Sequence, residues 1–138
     1  MNARYLFRGK YGDTWVYGTL SQLVGGLHVY DSTGKVHFKV DPTTIGQCTG
    51  ISAIKSYRGD KPEDLLIFEG DVLRVPIEHY GPDHPVRIVE WSGGGYRIRG
   101  VGSETGFCAL TSWPMVNTAE IIGNVHDNPE LLKGSTDS

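Results

Sequence analysis

The chain has 138 residues, 38% of them hydrophobic, with 19 glycines and 7 prolines. That length makes one ordinary domain or two small subdomains sharing a core, and so much glycine excludes a helical bundle and favours short strands joined by turns. The formal net charge of -3 lies wholly in residues 117–138, where Glu120, Asp127, Glu130 and Asp137 stand against Lys133 alone. With no basic excess to neutralise phosphates, general nucleic-acid binding is not expected.

No run approaches the roughly 20 apolar residues of a membrane span, and the N-terminus lacks the apolar stretch of a signal peptide. Cys48 and Cys108 are far apart with no CxxC spacing, so they read as thiols of a reducing compartment.

Residues 4–8 read as a first short strand, 9–13 as a turn and 15–20 as a second strand, rich in aromatic and β-branched residues. Residues 27–30 and 35–40 then flank Asp31-Ser32-Thr33-Gly34, a hairpin loop. That loop puts Val29 opposite Val36 and Leu27 opposite Phe38 on one buried face. Tyr30, Lys35, His28 and His37 fall on the solvated face.

After Asp41-Pro42 the alternation loosens, and residues 51–64 read as a loop, polar and punctuated by Gly and Pro from Ser56 onward. A strand over 65–68, a turn at Glu69-Gly70-Asp71 and a strand over 72–75 follow. Residues 78–85 form another loop. The runs 86–91 and 96–99 flank Ser92-Gly93-Gly94-Gly95 as a second hairpin. A late strand covers 119–125, and 127–132 forms a helical turn that Asp127 or Asn128 caps and Pro129 begins. Residues 134–138 are a frayed end.

The expected fold is mainly β. An SH3-like small barrel over about residues 69–125 packs with an N-terminal β layer, and one short helical turn ends the chain. The single domain divides into a β subdomain over about 1–50, the loop 51–64 and a barrel subdomain over about 65–133.

The residues offer little catalytic chemistry. Asp41-Pro42-Thr43-Thr44 reads as a turn, because Asp bonds neighbouring amides and Pro fixes φ. Glu69 and Asp71 are spaced to hold Mg²⁺ from one strand face, but a turn acid beside a glycine is the simpler reading. Gly93-Gly94-Gly95 lacks the following helix and Gly-Lys-Ser/Thr of a phosphate loop. His28 and His37 face each other across the first hairpin with no third ligand nearby, so no metal site is expected. Cys108 lies between apolar neighbours and reads as a small buried hydrophobe. No cofactor is expected.

Arginine with aromatics is the one constellation that points to a ligand. Arg97 and Arg99 alternate with Tyr96 and Ile98, and Arg8, Trp15, Tyr17 and Trp113 extend the same chemistry. Guanidinium forks hold phosphates and aromatic rings stack on bases, so the set suits a small phosphorylated nucleotide.

Several strings then resemble the YopX family of small bacteriophage and prophage proteins. They are Phe7-Arg8, Trp15-Val16-Tyr17-Gly18 with Leu20, and Val40-Asp41-Pro42 with Thr44, Gly46-Gln47 and Thr49-Gly50. Phe68-Glu69-Gly70-Asp71-Val72 follows, then Ile122-Gly123-Asn124-Val125 with Asn128-Pro129-Glu130-Leu131. The resemblance implies a mostly β fold, a phage origin and the cytoplasm of an infected bacterium, and it supplies no catalytic mechanism. One departure is that Ile51 replaces the family's Leu and the stretch from Ser52 to Ile67 is lengthened, which the family usually spans by a short polar turn.

The leading expectation is a non-enzymatic phage accessory protein that binds an unknown host component. Its sharper form is sequestration of a small nucleotide immune signal between subunits of a homo-oligomer. Open β edges that associate to cover themselves favour such an oligomer. The alternatives are a protein-interaction adaptor using the barrel or a sheet edge, and a Mg²⁺-dependent enzyme on nucleotides or nucleic acid using Glu69 and Asp71.

Overall fold

A computed structural model describes residues 6–31, 33–74, 86–92, 95–100, 107–109 and 119–131. The chain is mostly β, as its composition predicts, and it divides into two compact units, Met1–Gly50 and Ile51–Ser138.

The first unit begins with β1 (Phe7–Tyr11) and β2 (Thr14–Leu23). Tyr11 lies opposite Thr14, so only Gly12 and Asp13 separate the strands. β3 (Gly26–Tyr30) pairs with β2, and β4 (His37–Lys39) pairs with β3. β5 (Asp41–Ser52) returns antiparallel to β1, giving the order β4-β3-β2-β1-β5.

The β3–β4 register differs from the predicted one. Val29 lies opposite Phe38 and Tyr30 opposite His37, and Asp31 N–H donates to Val36 O at 2.9 Å. The loop is therefore residues 32–35. Asp31 holds it from the N-terminal side: its carboxylate accepts the Thr33 N–H at 3.0 Å and the Thr33 hydroxyl at 2.5 Å. Gly34 takes the left-handed φ of 73° that this loop needs. Moving the loop by one residue changes partners by two, so each side chain keeps its face. Val29 is fully buried, whereas Val36, now at the loop base, is exposed.

β5 was expected only as a turn followed by irregular chain, and it is a twelve-residue strand. Both descriptions have a cause. Asp41 does bond its neighbours, accepting the Thr43 N–H at 3.0 Å. That segment is an irregularity in the ladder, where the β1 partners jump from Arg8↔Gly46 to Lys10↔Asp41. Thr44 Oγ1 accepts the Lys10 N–H at 2.9 Å and so fills the interrupted ladder.

The second unit carries β6 (Lys55–Ser56), a 3-10 turn (Pro62–Leu65), β7 (Leu66–Phe68) and β8 (Asp71–Arg74). The expected 51–64 loop is thus partly ordered. β9 (Val86–Ser92), β10 (Gly95–Gly100), β11 (Phe107–Ala109) and β12 (Glu120–Asn124) complete it. Their sheet runs β11-β10-β9-β8-β12-β6. β7 follows β5 in the other sheet's order, where the last residues of β5, Ile51 and Ser52, belong to this second unit. The anticipated SH3-like small barrel does not close: among the described residues the six strands form an open sheet. Its last pairing, β12 with β6, is parallel and ends the ladder after two residue pairs.

The core of this unit is Ala53, Ile67, Leu73, Val89, Ile98, Ala119 and Ile121, with Ile51 and Tyr96 packed against it. Seven of those nine come from the runs predicted as strands on alternation or apolar content. The second hairpin is tighter than predicted, with Ser92 opposite Gly95 and Tyr96 opposite Trp91.

Candidate functional site

Arg8 and Lys10 lie two apart on β1, so both project from the same face. Across the ladder Arg8 meets Tyr17 and Lys10 meets Trp15. The Arg8 guanidinium carbon is 4.8 Å from the Trp15 ring centroid, and Lys10 Nζ is 5.5 Å from it. Both are cation–π contacts, each worth about 0.5–2 kcal/mol depending on solvation. On its other side Arg8 has Gly46 as its β5 partner. Arg8 is 1% exposed, while Trp15 and Lys10 are half-buried and Tyr17 is exposed. The structure thus gathers three of the predicted residues, Arg8, Trp15 and Tyr17, and adds Lys10.

Tyr96 and Arg97 behave differently. Tyr96 packs against the core and meets Trp91 edge-on at 4.8 Å. Arg97 projects from the opposite face, where its Nε donates to Glu90 Oε1 at 3.0 Å. Alternation along one strand separates the two, so they do not form a joint ligand set. Only the backbone pairing of Arg99 with Ile88 and Phe107 is described, and Trp113 lies outside the described residues.

The acidic string has a structural role. Glu69 and Gly70 make the turn between β7 and β8, with Gly70 at φ 92°. Asp71 is fully buried and accepts the Phe68 N–H at 2.7 Å. Arg58 Nη2 lies 3.6 Å from the same carboxylate and donates to Leu66 O at 2.6 Å. The guanidinium also lies 5.8 Å from the Tyr57 ring centroid and 5.7 Å from that of Phe68.

Asn124 is opposite Asp71 and equally buried. Its Nδ2 donates to Tyr57 Oη at 3.0 Å and to Asp127 Oδ2 at 3.2 Å. Its Oδ1 accepts the N–H groups of His126 at 3.0 Å and Asp127 at 2.9 Å. That is the full bonding capacity of an amide side chain. Tyr57 and Arg58 come from the stretch between Ser52 and Ile67, which is thereby built into the unit. Sequence reading missed both; the one signal was a Tyr-Arg pair inside an otherwise polar loop.

No group of three or more His, Cys, Asp or Glu side chains suited to a metal ion occurs among the described residues. Cys48 is a buried thiol whose Sγ accepts the Gly50 N–H at 3.4 Å. No helix among the described residues is long and apolar enough to cross a membrane.

This mostly β chain, with its glycine-pinned turns and an Asp–Arg–Asn cluster at their base, matches a known family. The family described as YopX protein aligns with residues 10–133. The chain belongs to the YopX family. No curated protein matches it.

Proposed function

We propose that this YopX-family chain is a non-enzymatic accessory protein of phage or prophage origin that binds a host component in the bacterial cytoplasm. The component is a small phosphorylated nucleotide used as a defence signal. The observation that carries this reading is the Arg8–Lys10–Trp15–Tyr17 patch on the β1–β2 hairpin. Two cations lie 4.8 and 5.5 Å from the centroid of an indole ring, and the exposed Tyr17 lies two residues along the same strand face. Aromatic faces take a base, and the half-buried ammonium of Lys10 takes a phosphate; Arg8, held under Trp15, fixes the ring and adds positive field. Subunits that associate through open sheet edges would bring two such patches to one ligand.

Calorimetry of the chain at about 50 μM against cyclic mono- and dinucleotides tests the reading, since an affinity near 1 μM saturates at that concentration. At least one nucleotide is expected to bind, and Trp15→Ala to weaken it by about 1–3 kcal/mol, the usual value of one stacked base. No heat across the panel removes the nucleotide. A host protein recovered at equal stoichiometry, with no small molecule, replaces it with a protein partner.

A further inference from the structure

On the β3–β4 hairpin, His28 Nδ1 and His37 Nδ1 lie 3.0 Å apart. The two rings are tilted at 58° with centroids 4.9 Å apart, and the Tyr30 ring packs against His37 at 4.8 Å. From this geometry we propose a metal site: His28 and His37 form a two-imidazole chelate for a divalent cation that prefers square-planar or tetragonal nitrogen ligands, Cu²⁺ first and Ni²⁺ next.

The distance selects the class of metal. Metal–imidazole bonds are about 2.0–2.1 Å, so two of them at a right angle separate the nitrogens by about 2.9 Å, and at the tetrahedral angle by about 3.4 Å. The observed 3.0 Å fits the right angle. Adjacent ligands at right angles are the geometry of Cu²⁺ and Ni²⁺, and copper stands highest in the affinity order of the divalent ions.

The register explains why the nitrogens converge. His37 pairs with Tyr30 and His28 with Lys39, so the histidines are diagonal neighbours on one face. Diagonal side chains stay within reach of long or aromatic groups. The ring of Tyr30 holds His37 from one side. Lys39 carries its side chain over Gly26, with Cε 3.0 Å from where a Cβ would stand there. His37 is exposed and His28 half-buried, so water can fill the remaining positions of the metal.

Without metal, one ring donates its Nδ1–H to the other. Binding moves that proton to the same ring's Nε2, leaving both Nδ1 lone pairs for the cation, and no proton is released from two neutral rings. Water completes the coordination in place of a third protein ligand, and the hydrogen-bonded pair stands close to the separation that the metal needs.

Titrating the untagged full-length chain with Cu²⁺ tests the site. One equivalent is expected to bind, with an electron paramagnetic resonance spectrum showing hyperfine splitting from two imidazole nitrogens. Either His37→Gln or His28→Gln should weaken binding about 10²-fold, the low end of the gain from making a second contact intramolecular. His126→Gln should leave it unchanged. The nitrogen count on the unaltered chain stands independently of whether the variants fold. A spectrum with one nitrogen or none, or equal affinity in all three variants, overturns the proposal.

Discussion

Asn124 sits in the Gly123-Asn124-Val125 string, part of the resemblance read from the sequence, and its role is to satisfy backbone. It pins the turn after β12, while Tyr57 reaches it from the segment before the 3-10 turn. Tyr57→Phe removes one acceptor from a buried amide and should cost about 1 kcal/mol in denaturant unfolding. Asp31 is a second residue whose environment has a measurable sign. The Thr33 hydroxyl, and then the backbone N–H groups of Thr33, Val36 and Gly34, hold its carboxyl below the ordinary value of 3.8. A depressed carboxyl stabilises the fold above its unfolded value and loses that contribution as pH falls through its folded value. Thr33→Val should move the Asp31 carbon-13 titration midpoint upward towards 3.8. An unchanged midpoint would assign the depression to the backbone alone.

At the scale of elements, close backbone approach fixes how β2 passes β3. A Cβ built on Gly18 would collide with the carbonyl oxygen of Tyr30, a backbone atom that cannot swing away. Gly18→Ala should therefore destabilise the first unit by about 3 kcal/mol, seen as a lower denaturant midpoint, because overpacking against backbone has no cheap relief. A Cβ on Gly123 would meet Asn128 Oδ1 at 2.5 Å and Leu131 Cδ1 at 2.8 Å, so the turn after β12 docks only on a bare strand. Hairpins were the legible elements, since turn residues and alternation are local. The strand over 41–52 was not, because Pro42 and glycines at 46 and 50 imitate a loop while the Arg8 and Lys10 backbones supply its partners from far away. The parallel β6–β12 pair joins residues more than sixty apart and leaves no local trace.

For the whole molecule, stability is concentrated where strands are flanked on both sides. β8 lies between β9 and β12, and Val72 and Leu73 are both fully buried. β4 is a three-residue edge strand with two exposed residues. Hydrogen exchange should be slowest at the amides of β8, β9 and β12 and fastest at β4, and the reverse order would contradict this distribution. The candidate ligand patch was partly legible. Arg8, Trp15 and Tyr17 were visible as residue types, but Lys10 entered only through the β1–β2 register, and Tyr96 was misgrouped because it turns towards the core. The Asp71 cluster was invisible for a plainer reason: its arginine lies in a loop and its amide at the far end of the chain.

The strings that carry the resemblance are architecture in this chain, with Asp71 at their centre. Denaturant unfolding of Asp71→Ala, followed by circular dichroism beside the unaltered chain, tests that most directly. Removing the carboxylate leaves the Phe68 N–H and the mostly buried Arg58 without it, while Arg58 keeps its bonds to the Asp64 and Leu66 carbonyls. A loss of about 3 kcal/mol is expected, the low end for breaking a buried ion pair. An Asp71→Ala protein as stable as the original, yet altered in ligand binding or turnover, would contradict it.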